Sequence, residues 1–579
     1  MPLPQHTGIL GHKAAAHLLR RATFGATKSD VDTYAGLTVT QALNNLFTHT
    51  AEPLPPVAPG ASVSWLTQPP ATNEDDTMQQ AWFKYWWLGI ILGSRVPAHE
   101  RLAFSTREKV TFFLHTFFTT IQEVVQSSRA LYFQNVLFRK FAFDGTAGPL
   151  VSIKELTKKI CIDNAMLQLL DGRLNVKGNP NENFARELFE LYTIGKGLQG
   201  QIPNTGTPGD YFYFTEQDVK SAAKVLSGYD FDRTFSTLDP QTNLPRGKIK
   251  TGAGNLPNQH DNSIKTFSHR FGNAVVQPNP ALMLGSQPTE ASMLDEIDQL
   301  INIIFAQPET ALHICRRIYR FYVYHDITPS IDTNIIQQMA NSLTANNFKI
   351  EPVIRELLGS QHFFDSANAS VDDDNFGAII KSPLDLITGS LSFFEYNLPD
   401  YLSDTNLFYA KTSALCERME EQGLRFLNPY DVAGYDAYHQ FPLFNRHWIS
   451  SNALTQRYKF IHEIMTIDNT MPEAINIDLL QFIQQRFNNN ALNPDLLIRE
   501  LVSYLFPMYN EGTEITTARL EYFKNQFFKL GMGLPQGPLN FWQFSYSNAS
   551  SSMTSATDAR GMLQDLINAM LQSPEYQLM

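Results

Sequence analysis

Residues 181–195 read NENFARELFELYTIG, a helical pattern that recurs along most of the chain. At about 100° per residue, apolar side chains fill one side of this helix and polar side chains occupy the other. Gly195 follows at the point where a left-handed residue would end the helix. The polar face, an arc of about 100°, carries Asn183, Arg186, Glu187 and Glu190.

This polar face has two interpretations. Glu187 and Glu190, three residues apart, can bind a hard cation or act as a general acid and base. Arg186 can hold an anion or orient a carboxylate. However, Arg186 also lies four residues from both Glu182 and Glu190, so these charges can simply neutralise one another in water. Spacing alone leaves the catalytic and the structural interpretation open.

Helical periodicity extends on both sides of this stretch. Capping boxes that begin at Ser29, Thr38 and Thr215 predict three helix starts. The chain divides into N-terminal helices with a proline-rich linker (1–60), a helical core (61–195), a polar loop-rich segment (196–289), helices (290–395), an irregular aromatic segment (396–450) and C-terminal helices (451–579). We predict a mainly α fold: one large multi-helix body over residues 1–579, with long irregular polar insertions and at most a few short strands.

The composition fits a large folded body. Of the 579 residues, 43% are hydrophobic, 12% aromatic and 18% charged. This content is ample for a sizeable core and excludes disorder of the whole chain. The formal net charge of −12 argues against a basic surface that binds nucleic acid, so no nucleic-acid partner is expected. Aromatic residues such as Trp86 and Phe112 are therefore interpreted as core.

Targeting signals are not evident. The N-terminal residues lack the charged and then apolar regions of a signal peptide. The longest apolar run, near residues 86–93, is far shorter than the roughly 18 residues that span a bilayer. Cys161, Cys315 and Cys416 are widely separated and form no CxxC pair, which excludes a zinc ribbon or a disulfide framework. The sequence predicts a soluble, cytoplasmic protein without a membrane span.

The loop-rich segment contributes further candidates. His260 and Asp261 are neighbours in a polar loop, where such a pair can serve as a base or a metal ligand. Lys265 follows as a candidate for substrate binding. Adjacent residues of an extended chain point in opposite directions, so the pair needs a turn to reach one centre. His115 lies on a largely apolar helix, where a core histidine competes with a role in substrate binding.

Common catalytic motifs are missing. The sequence contains no HExxH, GxSxG, Walker or GxGxxG motif, which removes the usual zinc protease, α/β-hydrolase and nucleotide-binding interpretations. Asp218 is better explained as a helix-start residue than as a catalyst. Residues 372–375 lack the glycine and glutamate of a calcium loop and are interpreted as a solvated turn. The metal ligands stay unknown, and a divalent cation is the candidate cofactor.

In their order along the chain, these stretches resemble the bacterial domain-of-unknown-function family DUF 1800 over nearly the whole length. The resemblance is strongest in residues 181–195. The other matching blocks are HLLRRATFG (17–25), REK (107–109) with His115, AML (165–167) with LD (170–171), TEQD (215–218), AA (222–223) with GY (228–229), HD (260–261) with Lys265, KSP (381–383), PYDVAG (429–434), WISSN (448–452) and QSP (572–574). About ten blocks in the family's order carry the resemblance.

Two positions depart from the family's pattern. The usual Trp-His-Asn-His-Phe reads LHTFF at residues 114–118, so Phe117 stands where the second histidine is expected. The family's Gly-Trp is here Gly434 followed by Tyr435. Many relatives resemble exported proteins, and the resemblance therefore implies export as the alternative to a cytoplasmic location.

The resemblance implies no settled activity. Genes of the DUF 1800 family are often neighbours of genes for DUF 1501, a family that resembles sulfatases and alkaline phosphatases. One hypothesis is a hydrolase or transferase that acts on a polar, carbohydrate-like or sulfated substrate. Its catalytic residues would be Glu187, Glu190, His260 and Asp261, and its substrate contacts Asn183, Arg186, Lys265 and His115. The alternative is a non-catalytic scaffold or partner of a sulfatase- or alkaline-phosphatase-like protein.

Overall fold

The computed structural model describes residues 2–61, 63–67, 70–143, 151–199, 201–252, 257–365 and 375–579. Over these residues the chain forms 25 α-helices and two small two-stranded sheets. The predicted mainly α class is therefore confirmed. The turn predicted at residues 372–375 lies outside the described residues except for Asn375.

Ten helices precede residue 195. They are α1 (Gly11–Ala22), α2 (Lys28–Ala35), α3 (Val39–Leu46), α4 (Asn73–Ile91), α5 (Arg101–Phe117), α6 (Gln122–Val125), α7 (Ser128–Ala142), α8 (Ile153–Ile160), α9 (Asn164–Leu169) and α10 (Asn183–Glu190). Their starts follow local chemistry, because Thr38 and Gln41 form the predicted capping box of α3. In α2 the box is Thr27 with Asp30, two residues earlier than predicted. Asp32, the expected partner, instead forms an ion pair with Lys28 at 2.9 Å.

The polar segment between residues 196 and 289 carries one helix and all four described strands. Its elements are α11 (Glu216–Val225), β1 (Tyr229–Asp230), β2 (Lys248–Ile249), β3 (Lys265–Thr266) and β4 (Val275–Val276). Both sheets are antiparallel: Tyr229 pairs with Ile249, and Lys265 pairs with Val276. The segment thus has the loop-rich character and short strands that its Gly, Pro and Asn content predicts.

Helices dominate again after residue 290. They are α12 (Glu290–Phe305), α13 (Pro308–Tyr322), α14 (Pro329–Ile331), α15 (Gln337–Ala345), α16 (Ile350–Leu358), α17 (Pro383–Phe393), α18 (Thr405–Glu421), α19 (Asp436–His439), α20 (Ser451–Met465), α21 (Leu479–Arg486), α22 (Pro494–Leu505), α23 (Thr517–Phe528), α24 (Gly537–Asn548) and α25 (Met553–Leu571). The segment 396–450, predicted to be irregular, therefore contains the long helix α18.

Buried apolar side chains form one contiguous cluster that runs from Leu3 to Tyr576. Trp86 and Phe112 belong to it, as the sequence predicts for aromatic core residues. Beside this cluster, Glu108 and Arg139 form a buried ion pair at 2.6 Å, which satisfies both charges. None of the helices in the described ranges is long and apolar enough to span a membrane.

The segment that follows α18 folds back onto the end of α5 and the start of α6. The N–H of Gln122 donates to the Leu427 carbonyl at 3.0 Å, and the N–H of Glu123 donates to the Asn428 side chain at 3.2 Å. Gly434 has φ 101°, and a Cβ there would lie 2.6 Å from the Thr119 hydroxyl oxygen. Only glycine fits such a close approach with positive φ, and this approach positions α19 for the site.

Candidate functional site

The Arg186 side chain on α10 is held by protein groups. Its guanidinium contacts Glu216 at 2.8 Å and the Tyr211 hydroxyl at 3.2 Å, while Tyr211 donates to the other Glu216 oxygen at 2.9 Å. The hydrogen bond from Arg186 lowers the pKa of Glu216. Glu182 adds a weaker ion pair at 3.7 Å. Arg186 therefore ties α10 to the start of α11, while the exposed Asn183 bonds the Leu170 carbonyl at 3.4 Å.

Glu187 differs from its neighbours on the same face. It is half-buried, and no group of the described residues hydrogen-bonds its carboxylate. Burial raises its pKa, and the negative charges of Glu190 and Asp431 add to the shift. Glu190 is paired with Lys196 at 2.6 Å. Glu187 is thus a carboxyl group whose environment favours its protonated form.

Asp431, which lies far from Glu187 in the sequence, comes near it in the fold. Asp431 belongs to the segment 429–434, more than two hundred residues along the chain, yet its charge acts on Glu187. The carboxylate of Asp431 is exposed and accepts the N–H of Ala433 at 2.8 Å. The turn that ends at Gly434 carries Asp431 towards α10 and leads directly into α19.

Asp436 and His439 of α19 join Asp431 in a compact group. The Nε2 atom of His439 lies 4.0 Å from the nearer Asp431 oxygen and 3.9 Å from the nearer Asp436 oxygen. This Nε2 atom is shielded from solvent and has no hydrogen-bond partner among the described residues. Burial, followed by the charge of Arg317, lowers the pKa of His439. A neutral imidazole beside two carboxylates is a donor set that can hold a divalent cation.

Two further side chains lie near this group, because, in addition to burial, the charge of Arg317 lowers the pKa of His439 and the charge of Glu187 raises the pKa of Tyr192. Arg317 of α13 donates to the Thr116 carbonyl at 2.6 Å and lies over the Phe117 ring at 5.1 Å. Burial lowers its pKa to about 10, and Tyr192 opposes the shift. The Tyr192 hydroxyl is buried without a hydrogen-bond partner in the described part of the chain.

We call this group the α10–α19 site and define it by Glu187, Glu190, Asp431, Asp436 and His439. It is half-open, because the side-chain exposures are 55% for Asp431, 37% for Asp436 and 14% for Glu190. Asp436 also lines an adjoining cavity of about 160 Å³. The site therefore offers carboxylates, one imidazole and a space beside them.

The loop candidates lie elsewhere, in a closed buried cluster. Nδ1 of His260 donates to the Ser227 carbonyl at 2.9 Å, and its Nε2 lies 3.3 Å from Glu296. Lys265 forms an ion pair with the other Glu296 oxygen, and none of the three side chains is exposed. Burial lowers the pKa of Lys265, and Glu296 opposes that shift. This cluster joins the polar segment to α12.

Asp261, the neighbour of His260, lies at the edge of this cluster and forms a local turn. Its carboxylate accepts the N–H of Ser263 at 2.9 Å, and its own N–H donates to the Ser227 hydroxyl at 2.8 Å. Burial raises the pKa of Asp261, but the hydrogen bonds from Ser263 outweigh it and hold the pKa below its ordinary value. The structure does not bring His260 and Asp261 to α10.

His115 is a core histidine with one polar partner. Its Nε2 lies 3.1 Å from the Tyr435 hydroxyl, which also accepts the N–H of Leu427 at 2.9 Å. The phenol therefore directs its proton at His115, whose pKa burial lowers to about 3. Tyr435 thus connects α5 to the segment before α19.

Sequence reasoning missed Asp431, Asp436, His439 and Arg317. A local signal existed for two of them, because Asp436 and His439 stand at i and i+3, the spacing that places both side chains on one helical face. Asp431 lay within a block that the resemblance had already singled out. The approach of this block to α10 is a long-range contact, which periodicity does not report.

A family described as "Protein of unknown function (DUF1800)" matches residues 17–578. The matched range includes α10, α19 and every residue of the α10–α19 site. No curated protein and no solved structure matches the chain.

Proposed function

The chain belongs to the DUF1800 family, whose description assigns no activity, and on that premise we propose a hydrolase or transferase that acts at the α10–α19 site. Its substrate is polar, either carbohydrate-like or sulfated. The observation that carries the proposal is the half-buried Glu187 carboxylate, which accepts no hydrogen bond from the described residues and whose pKa is raised by burial and by charges that include Asp431. It is joined by His439, whose Nε2 has no hydrogen-bond partner in the same described ranges. Perturbed groups in a half-open polar site support a catalytic interpretation.

Glu187 acts as the general acid and base. Burial raises its pKa, and a higher pKa makes the carboxylate a better proton acceptor. Glu190 contributes the negative charge that helps to raise this pKa. Arg186 is engaged by Glu216 and Tyr211 and therefore positions α10. Arg186 therefore acts on the substrate only through the α10 residues that it positions.

Asp431, Asp436 and His439 hold the divalent cation of this proposal. Ligand atoms about 2.0–2.2 Å from a common ion lie within about 4.4 Å of one another, and the two distances of 4.0 and 3.9 Å satisfy that limit. The lowered pKa of His439 keeps its imidazole neutral, the form that binds metals. A bound cation would polarise a substrate oxygen or lower the pKa of a bound water.

The test is a panel of p-nitrophenyl sulfate, phosphate and glycosides, each assayed with EDTA and with added Mg²⁺, Mn²⁺ or Zn²⁺. On the substrate that the wild-type protein cleaves, Glu187→Gln should lose about 10²–10⁴-fold in rate and keep its melting temperature. Glu417→Gln, an exposed change on α18, serves as the matched control. Full activity in Glu187→Gln, or its failure to fold, would contradict the proposal.

One observation favours the second candidate, a scaffold or partner of a sulfatase- or alkaline-phosphatase-like protein. Large apolar side chains next to the α10–α19 site are exposed: Tyr430 (76%), Phe441 (58%), Leu443 (48%) and Ile449 (42%). Exposed apolar surface of this kind is typical of protein interfaces. Co-purification that Tyr430→Ser with Phe441→Ser abolishes would support this candidate, and a clean monomer beside the partner would count against it.

A further inference from the structure

A second cavity, whose largely apolar lining carries a few charged side chains, lies far along the sequence from the residues of α10. It has a volume of about 60 Å³ and sits where α1, the start of α17 and residues 574–577 meet. Its lining includes Arg20, Lys381, Asp385 and Tyr576. Three of the sequence blocks to which the proposed function gives no role, at residues 17–25, 381–383 and 572–574, thus converge at or beside one cavity.

Lys381 is buried there without an acidic partner. It is 6% exposed, its Nζ donates to the Tyr576 carbonyl at 2.6 Å, and it lies 3.5 Å from the centre of the Tyr576 ring. No carboxylate of the described residues forms an ion pair with it. An ammonium group buried in this way costs several kcal/mol unless a negative charge accompanies it.

Arg20 lines the same cavity, and three of its five N–H donors have no acceptor among the described residues. Both of its protein hydrogen bonds start from Nη2, to the carbonyls of Tyr504 at 2.5 Å and Phe506 at 3.1 Å. Nε and Nη1 have no acceptor among the residues that the structure describes, and neither is sealed from solvent. Two adjacent N–H groups of a guanidinium are the geometry that binds phosphate or carboxylate oxygens side by side.

A third cationic side chain, that of Arg457, is hydrogen-bonded to the backbone of Lys381. Arg457 is fully buried, and its Nη2 donates to the Lys381 carbonyl at 3.0 Å while its Nη1 has no partner in the described ranges. Asp385 is the only acidic residue of the lining, and its oxygens are taken by an ion pair with Lys109 and a hydrogen bond from Ser382 at 2.7 Å. Among the described residues at this cavity, positive groups therefore outnumber negative ones. The charge of Asp385 only partly opposes the burial that lowers the pKa of Lys381 well below its ordinary value.

We propose that this cavity binds one tetrahedral oxyanion, phosphate or sulfate, through Arg20 and Lys381. The volume suits it, because at roughly 10–15 Å³ for each water-sized group a cavity of about 60 Å³ accommodates about five such groups. The anion supplies the negative charge that Lys381 and Arg457 lack. Burial lowers the pKa of Arg20 and of Arg457 to about 10 when no anion is present, and an anion opposes that shift. The proposal is independent of catalysis at the α10–α19 site.

The test measures the melting temperature of the full chain against inorganic phosphate and inorganic sulfate, with sodium chloride at equal ionic strength as reference. The wild-type protein should show a saturable rise that chloride does not give. Lys381→Met and Arg20→Gln should lose at least tenfold in apparent affinity. Lys248→Met, an exposed change in β2, should behave as wild type.

Lys381→Met provides a second readout that a purely structural lysine would not give. Without anion this variant should be as stable as wild type or more stable, since it removes an unpaired buried charge. With saturating phosphate it should be the less stable of the two. If Lys381→Met does not fold, Arg20→Gln carries the same comparison.

The anion in the cavity could be a free ion or the phosphate or sulfate group of a larger molecule, and a titration with glycerol phosphate distinguishes these two sources. A response to it as well as to inorganic phosphate assigns the cavity to the phosphate or sulfate group of a larger molecule, and a response to the inorganic ions alone assigns it to the free ion. The proposal is overturned if the wild-type protein gives no saturable response to any of these anions. It is equally overturned if Lys381→Met and Arg20→Gln both respond as wild type does.

Discussion

Tyr435 shows how one side chain satisfies two buried partners that lie far apart in the sequence. Its hydroxyl accepts the N–H of Leu427 and meets Nε2 of His115 at 3.1 Å. Both partners are buried, so an unpaired group at either position would cost about 1–3 kcal/mol. The sequence could suggest that His115 is a core histidine, because its helix is apolar. It could not name the partner, which lies 320 residues away.

The neutral state of His115 gives a prediction for acid stability. Burial lowers its pKa from 6.5 to about 3 in the folded chain. Between these two values the unfolded chain binds a proton that the folded chain does not, so stability falls as the pH falls through this window. In His115→Gln the slope of unfolding free energy against pH should decrease by the contribution of up to about one bound proton. Urea unfolding at pH 7, 6 and 5 measures this slope.

His99 provides the control for that measurement, because its side chain is 80% exposed. The variant His99→Gln should keep the slope of the wild-type protein. Equal slopes in His115→Gln and wild type would contradict the assignment of His115 as a histidine that stays neutral in the fold.

Among the elements, α10 could be predicted and α18 could not. The polar face of α10 follows from its apolar residues, which recur at a spacing of three and four residues and so fill the opposite face. In α18 the buried side includes Thr405 and Thr412, which bond the carbonyls four residues earlier at 3.1 and 2.8 Å. Buried threonines that are satisfied in this way interrupt the apolar periodicity from which a helix is inferred.

Asp218, in the capping box of α11, also accepts hydrogen bonds from the loop at Ser268. Asp218 accepts from the N–H of Thr215 at 2.7 Å and from the N–H and hydroxyl of Ser268 at 2.6 and 2.7 Å. Asp218→Ala should therefore cost about 2–4 kcal/mol of unfolding free energy, because it removes a cap and leaves buried donors of Ser268 unpaired. Urea unfolding measures the loss, and hydrogen exchange should report faster opening at residues 267–271.

Asp75 of α4 is the matched control for this prediction. It forms the same type of capping box with Thr72, at 3.0 Å and in an exposed position. Asp75→Ala should cost about 1 kcal/mol. Equal costs for the two variants would show that Asp218 contributes no more than an ordinary cap.

At the scale of the whole molecule, two polar clusters divide the candidates that the sequence grouped together. Glu187 and Glu190 lie at the half-open α10–α19 site, whereas His260 and Lys265 surround Glu296 in a closed interior. Spacing could locate each set of side chains. It could not separate them, because the difference is burial, which depends on where the polar segment packs against α12. We therefore propose that the His260 cluster is a structural clamp.

The most direct measurement compares activity and unfolding free energy in Glu187→Gln and Glu296→Gln. Glu187→Gln should lose about 10²–10⁴-fold in rate at nearly unchanged stability. Glu296→Gln should lose about 3–5 kcal/mol of stability, because it leaves Lys265 buried without its counter-charge, and its folded fraction should remain active. A fully active Glu187→Gln, or a Glu296→Gln that is stable but inactive, would contradict the assignment of catalysis to the α10–α19 site.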